Sequence, residues 1–103
     1  LVVLIDCNGI QADGPVTVAI EPVADKMTAF GFETYEIDGN DMAALAAALG
    51  NCREPNGKPK AIVLRTIPGF GIPTIMARDR AHFVRVANDE WDSLIAELEQ
   101  ENA

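Results

Sequence analysis

A chain of 103 residues has room for a single small domain with a modest core. Sixteen acidic residues against eight basic ones leave a net charge of −8, which argues against nucleic acid or an anionic membrane as partner, because either calls for a basic surface. Cys7 and Cys52 form neither a zinc spacing nor a disulfide framework, and no apolar stretch is long enough to span a bilayer, so a soluble cytoplasmic protein is expected.

Leu1 to Ile5 is an unbroken apolar run rich in branched side chains. It is too short for a helix and reads as a central strand of a parallel sheet, covered on both faces. Asp6 ends it, and Cys7-Asn8-Gly9-Ile10-Gln11-Ala12-Asp13-Gly14 follows as a turn-rich loop carrying carboxylate, amide and carbonyl oxygens. In open α/β sheets ligands sit at the carboxyl ends of strands. The donor set suits a hard cation such as Mg2+, which takes a few protein oxygens and completes its shell with water and phosphate. The same residues also suit a plain turn, since Asn-Gly and Asp-Gly are common turn dipeptides. Cys7 reads as a small packed residue.

Val16 to Ile20 is a connector. Glu21-Pro22 opens a helix, with Pro at its first position and a carboxylate at the positive end of the dipole. Val23, Met27 and Phe30 share its core face, and Gly31 stops it. Phe32 to Ile37 is a second strand. The turn Asp38-Gly39-Asn40-Asp41 hands the chain to an N-cap, which explains Asp38 and Asp41 without a metal. An Ala-rich helix follows, with Met42, Leu45 and Leu49 as a thin apolar stripe and Gly50 at its end. Residues 51–59 form a surface loop, and Ala61-Ile62-Val63-Leu64 is a third buried strand. The order β-α-β-α-β predicts a parallel sheet with right-handed crossovers.

Pro68-Gly69-Phe70-Gly71-Ile72-Pro73 leaves that strand as a loop whose two glycines permit either a bend or a close ligand approach. His82, the single histidine, lies in the basic segment Arg78 to Val86; its imidazole could donate to a phosphate or relay a proton, or it could simply be a surface residue. Arg78, Arg80 and Arg85 read as solvated. Asn88 is expected to cap the last helix, with Trp91, Leu94, Ile95 and Leu98 as its buried stripe, Glu97, Glu99, Gln100 and Glu101 as its wet face, and a frayed tail.

The stretch Asp6-x-Asn8-Gly9-Ile10-Gln11-x-Asp13-Gly14-Pro15 resembles the second half of the thiamine diphosphate signature of transketolases. Further pieces follow in that family's order: Glu21-Pro22-x-Ala24-Asp25-Lys26-x-x-Ala29-Phe30-Gly31, Asp38-Gly39-Asn40-Asp41, Gly57-Lys58-Pro59, Thr66-Ile67-x-Gly69-x-Gly71 and Asn88-Asp89-Glu90. The resemblance implies an α/β fold, a partial three-layer parallel sheet of the thiamine diphosphate-binding type. Residues 1–103 would form the C-terminal portion of the diphosphate-binding domain. It implies thiamine diphosphate and Mg2+ as cofactors, with the Asn8 side-chain oxygen and the Ile10 backbone carbonyl on the metal. His82 would be a cofactor-binding and catalytic residue. Phe70 stands where such chains often carry a Lys, so no phosphate-binding cation is expected in the glycine loop.

By the same resemblance the activity is transfer of a two-carbon ketol unit from a ketose to an aldose, on phosphorylated sugars and in an oligomer. The Gly-Asp-Gly that opens the signature and gives Mg2+ its carboxylate is expected upstream of Leu1. The Glu that activates the cofactor belongs to a pyrimidine-binding domain or subunit. The chain is therefore expected to be inactive by itself. A second reading is a receiver-like signalling module in which Asp6 binds Mg2+ and accepts a phosphoryl group, although such a module calls for more carboxylates and a Lys at a late strand end, where Arg65-Thr66 stands.

Overall fold

The structure is a computed structural model and describes residues 1–12, 14–16 and 18–101. The expectations for Asp13, Thr17, the Glu101 side chain and the last two residues lie outside the described part. In chain order the elements are β1 (Val2–Asp6), β2 (Ile10–Gln11), β3 (Gly14–Pro15), α1 (Val23–Ala29), β4 (Glu33–Asp38), α2 (Met42–Asn51), β5 (Lys60–Arg65), α3 (Pro73–Met76), a 3-10 turn (Ala81–Phe83) and α4 (Trp91–Glu101). They fall into two compact units, Leu1–Asn8 with Thr17–Thr66, and Gly9–Val16 with Ile67–Ala103.

The first unit is an α/β layer built on a parallel sheet of order β1-β5-β4, as the β-α-β-α-β pattern predicts. The center is β5, not β1. Ala61, Ile62 and Val63 are fully buried there, each large side chain contributing roughly 1.5–3 kcal/mol relative to exposure. Among the described residues β1 pairs only with β5, and its burial alternates: Val2 and Leu4 are exposed while Val3 and Ile5 are half-buried. An unbroken apolar run signals a strand that suits burial, but it does not say which neighbours cover it.

α1 packs on β4 and β5, and α2 on β4. α1 begins at Val23, with Pro22 as its N-cap residue and the Glu21 carboxylate accepting from the Val23 amide at 3.0 Å. Phe30, expected in the core, lies just past the helix and is 78% exposed. In α2 the Asp41 carboxylate accepts from the Ala43 and Ala44 amides, so it is the expected N-cap. The apolar stripe shifts. Ala48 is the buried residue while Met42 and Leu49 are exposed, because in an Ala-rich helix the close approach to the sheet runs along the small side chains. The helix also passes through Gly50 to Asn51.

Lys60 is the one buried charged residue among those described. Its Nζ meets Glu33 Oε2 at 2.5 Å, in a group that also contains Tyr35 and Asn56, both donating to Glu33. Lys60 holds the Glu33 carboxyl down to about 2, with Tyr35 and Asn56 adding to the effect. The Glu33 carboxylate in turn pushes the Tyr35 hydroxyl up to about 12.

In the second unit β2 and β3 form a short antiparallel pair, too brief for any periodicity to announce. Gly69 turns with φ of 75°, and a Cβ there would stand 2.5 Å from Ile75 Cγ2. The close approach that this glycine permits is thus to Ile75 of the short helix α3. α4 begins at Trp91, three residues beyond Asn88, and the Glu90 carboxylate reaches back to the Ala87 amide at 2.7 Å in place of the Asn88 cap. Leu94 is buried, but Trp91, Ile95 and Leu98 are substantially exposed along an open apolar groove. Glu97, assigned to the wet face, instead accepts from the Thr74 amide and hydroxyl at the start of α3. No helix of the described residues is long and apolar enough to cross a membrane.

Candidate functional site

The carboxyl edge of the parallel sheet is tied together by side chains that follow the strands. Asp6, the last residue of β1, uses both carboxylate oxygens: Thr66, just after β5, donates its hydroxyl to Oδ1, and Asn8 Nδ2 donates to Oδ2 at 3.1 Å. The backbone continues the same junction, since Cys7 N–H donates to the Leu64 carbonyl at 2.8 Å and Gly39 N–H to the Arg65 carbonyl at 2.8 Å. Gly39 has to be glycine. A Cβ there would lie 2.5 Å from Thr66 Cγ2 and 2.9 Å from Leu64 Cβ, so the turn after β4 sits flush against the end of β5.

Beside this junction Arg65 bonds Glu36 at 2.9 Å and both oxygens of Glu21. Arg65, and then the Val23 amide, hold the Glu21 carboxyl down to about 2. Burial pushes the Cys7 thiol up, with Arg65 working against it, and the half-buried thiol is kept in its packed, protonated form.

Asn8 is therefore a half-buried amide whose nitrogen is fastened to Asp6 at a strand end. Ile10 belongs to the second unit, in β2. The Gly9 carbonyl accepts from the Val16 amide at 3.1 Å, which makes Gly9 and Val16 a hydrogen-bonded pair. Ile10, opposite Pro15, is then at the neighbouring non-hydrogen-bonded position, with its backbone groups directed away from β3. His82 is also in the second unit, exposed in the 3-10 turn, with its ring edge-on to Phe83 at a centroid distance of 5.2 Å.

Asn8 and Ile10 offer neutral hard oxygens of the kind Mg2+ accepts, so the donor chemistry fits that ion; they offer no charge to offset it. Among the described residues no three His, Cys, Asp or Glu side chains gather where they could hold a metal. With Asp6 engaged by Thr66 and Asn8, the multi-carboxylate site of a receiver-like module has no counterpart there. Thr66 and Gly39 belong to the junction on equal terms with Asp6. Neither was singled out from the sequence beyond its place in a motif, because their role depends on a strand order that no local pattern encodes.

The family described as transketolase, thiamine diphosphate binding domain, matches residues 1–102. A transketolase family protein of Sinorhizobium fredii is 40% identical over 98 residues, covering 92% of this chain and 35% of that protein. The 6-deoxy-6-sulfo-D-fructose transketolase subunit of a Clostridium species is 32% identical over 105 residues, covering 100% of this chain and 38% of that protein. In Actinobacillus succinogenes, one subunit of apulose-4-phosphate transketolase is 32% identical over 103 residues, covering 98% of this chain and 37% of that protein. The chain thus spans little more than a third of the length of these relatives.

Proposed function

The chain belongs to the transketolase thiamine diphosphate-binding family, and we propose that it serves as the C-terminal portion of the diphosphate-binding domain in an enzyme that moves a two-carbon ketol unit from a ketose to an aldose. The observation that carries this reading is the Asp6 junction, which presents Asn8 at the carboxyl edge of a parallel sheet, where α/β proteins place their ligands. In this reading the Asn8 side-chain oxygen and the Ile10 carbonyl would hold Mg2+, whose charge would offset that of the cofactor diphosphate. Asp6 positions Asn8 by taking its amide nitrogen. His82 would donate a hydrogen bond to the cofactor diphosphate or relay a proton to the substrate near the reacting carbon. Stabilisation of the carbanion is chemistry supplied by thiamine diphosphate when it is bound.

The relatives named as subunits support a division of labour in which the remaining parts come from elsewhere in the assembly. Those parts are a Gly-Asp-Gly segment contributing the metal's carboxylate and a pyrimidine-binding domain or subunit contributing the activating Glu. Phosphorylated sugars are the proposed substrates, an oligomer the working form, and the cytoplasm the setting, which suits two free thiols.

Equilibrium dialysis tests this division. Two neutral oxygens do not hold Mg2+ well against water, since the ion dehydrates reluctantly and prefers carboxylate or phosphate oxygens. The 103-residue chain with Mg2+ is therefore expected to retain no thiamine diphosphate at micromolar concentration, and addition of the two missing parts to restore binding and ketol transfer together. Micromolar binding by the chain alone would overturn the reading.

A further inference from the structure

The apolar stripe of α4 is only partly used by the fold. Trp91, Leu94, Ile95 and Leu98 stand at i, i+3, i+4 and i+7, so one face of the helix carries all four. Leu94 is 4% exposed and forms the floor of a groove of about 320 Å3, whose walls include Ile75 and Val86. Trp91, Ile95 and Leu98 line the same groove and are 51%, 50% and 42% exposed. Scattered exposed apolar residues are ordinary, whereas a contiguous row of large ones along a concave surface marks a place of contact.

The walls are fixed by polar ties on both halves of α4. Glu97 accepts from the Thr74 amide at 2.9 Å and from its hydroxyl at 2.5 Å, which holds α3, and Ile75 with it, beside the helix. Arg78 donates to Glu90 at 2.5 Å and to the Arg85 carbonyl at 2.6 Å, which sets the segment that brings Val86 to the wall. A groove whose walls are already fixed loses little freedom when it is filled.

The rim defines the occupant. Asp92 and Glu99 are two helical turns apart, so they lie on one line along α4, at the Ile95 edge of the apolar stripe. Both are exposed, and no ion pair among the described residues engages either. From residue 86 to residue 103 the sequence has no Lys, Arg or His. A second copy laid α4 on α4 would therefore set carboxylates against carboxylates, in a chain whose net charge is already −8. A helix with an apolar stripe of its own and cations along its edge meets both groove and rim.

We propose that this groove docks an amphipathic helix from a partner protein, with apolar residues at i, i+3, i+4 and i+7 and Lys or Arg beside them. Apolar burial supplies the affinity, and the carboxylate rim selects the partner and its orientation. The proposal needs neither the Asn8 anchor nor ketol transfer.

Trp91 is the single tryptophan of the chain, so its fluorescence reads the groove directly. Three synthetic peptides free of Trp and Tyr are titrated into the 103-residue chain: a Leu-striped helix flanked by Lys, the same helix flanked by Glu, and a scrambled order of the first. The Lys-flanked peptide is expected to shift the Trp91 emission to the blue saturably, and the other two to leave it unchanged. Ile95→Ser should weaken that binding about tenfold. Asp92→Lys combined with Glu99→Lys should transfer binding to the Glu-flanked peptide. All three positions are exposed, and circular dichroism of each variant reports that it is folded. No saturable shift with the Lys-flanked peptide, an equal response to the scrambled one, unchanged affinity in Ile95→Ser, or no change of preference in the double variant would overturn the proposal. So would a blue shift that grows with chain concentration in the absence of peptide, which would assign the groove to a second copy.

Discussion

The Thr66 hydroxyl donates to Asp6 Oδ1 across a sequence separation of 60, from the end of the central strand to the end of its neighbour. Because the other oxygen of Asp6 takes Asn8 Nδ2, a residue with no proposed ligand contact of its own sets the position of the proposed metal ligand. Thr66→Val keeps the shape and removes the hydroxyl. The expected cost is on the order of 1 kcal/mol in Mg2+-dependent cofactor binding, with a smaller change in melting temperature. Calorimetry on the assembled enzyme, beside a thermal melt, separates the two; a melting change without a binding change would show the bond to be only structural.

Gly39→Ala should damage the same junction sterically. The added Cβ would meet Thr66 Cγ2 and Leu64 Cβ inside van der Waals contact, and overpacking of this kind costs about 1–3 kcal/mol. Urea denaturation should show that loss with an unchanged m value. Gly50→Ala, which meets nothing within 4 Å, should show none of it.

The Lys60 and Glu33 pair gives the fold a pH dependence of predictable sign. Glu33 ordinarily titrates near 4.5 and is held down to about 2 in the folded chain, so its contribution is complete above about 4.5 and is lost as pH falls toward 2. Tyr35 runs the opposite way. Its hydroxyl is pushed from 10 up to about 12, so its contribution is complete below 10 and is lost as pH rises toward 12. Melting temperature against pH should fall at both ends, and Glu33→Gln should flatten both limbs while lowering the plateau, because it leaves Lys60 buried without its carboxylate.

His82→Ala removes an exposed side chain whose recorded ring contact is with Phe83, so the fold should be unaffected. If His82 handles a proton in the assembled enzyme, kcat should fall roughly 10²-fold. Steady-state kinetics with both kcat and the cofactor requirement within error of the parent would make His82 structural.

Much of the architecture was legible in local pattern. The apolar runs at 1–5 and 61–64, the Asp41 cap and the alternation of strands with helices led directly to a parallel β-α-β-α-β layer. What local pattern could not supply was rank within the sheet: β1 and β5 read alike, yet only β5 is central. The assignment of Phe30, Met42 and Leu49 to the core failed for a related reason. Apolar spacing marks a face, whereas burial depends on how near that face comes to the sheet, and α2 comes nearest at Ala48. At the candidate site Asn8 and Ile10 could be read from a motif. Thr66 and Gly39 could not, and neither could the Lys60 pair at the opposite end of the strands, since each acts through a residue distant in sequence that only the strand order brings close.

The most direct test of the account is the affinity of Asn8→Leu for thiamine diphosphate, measured by calorimetry with and without Mg2+ in an assembly containing every missing part. Leucine keeps the bulk and removes the oxygen at a loop position, so the fold should persist while Mg2+-dependent binding weakens by about tenfold or more, the scale of one lost metal or charged hydrogen-bond contact. Equal affinity for Asn8→Leu and parent would contradict the assignment of Asn8 as the metal anchor.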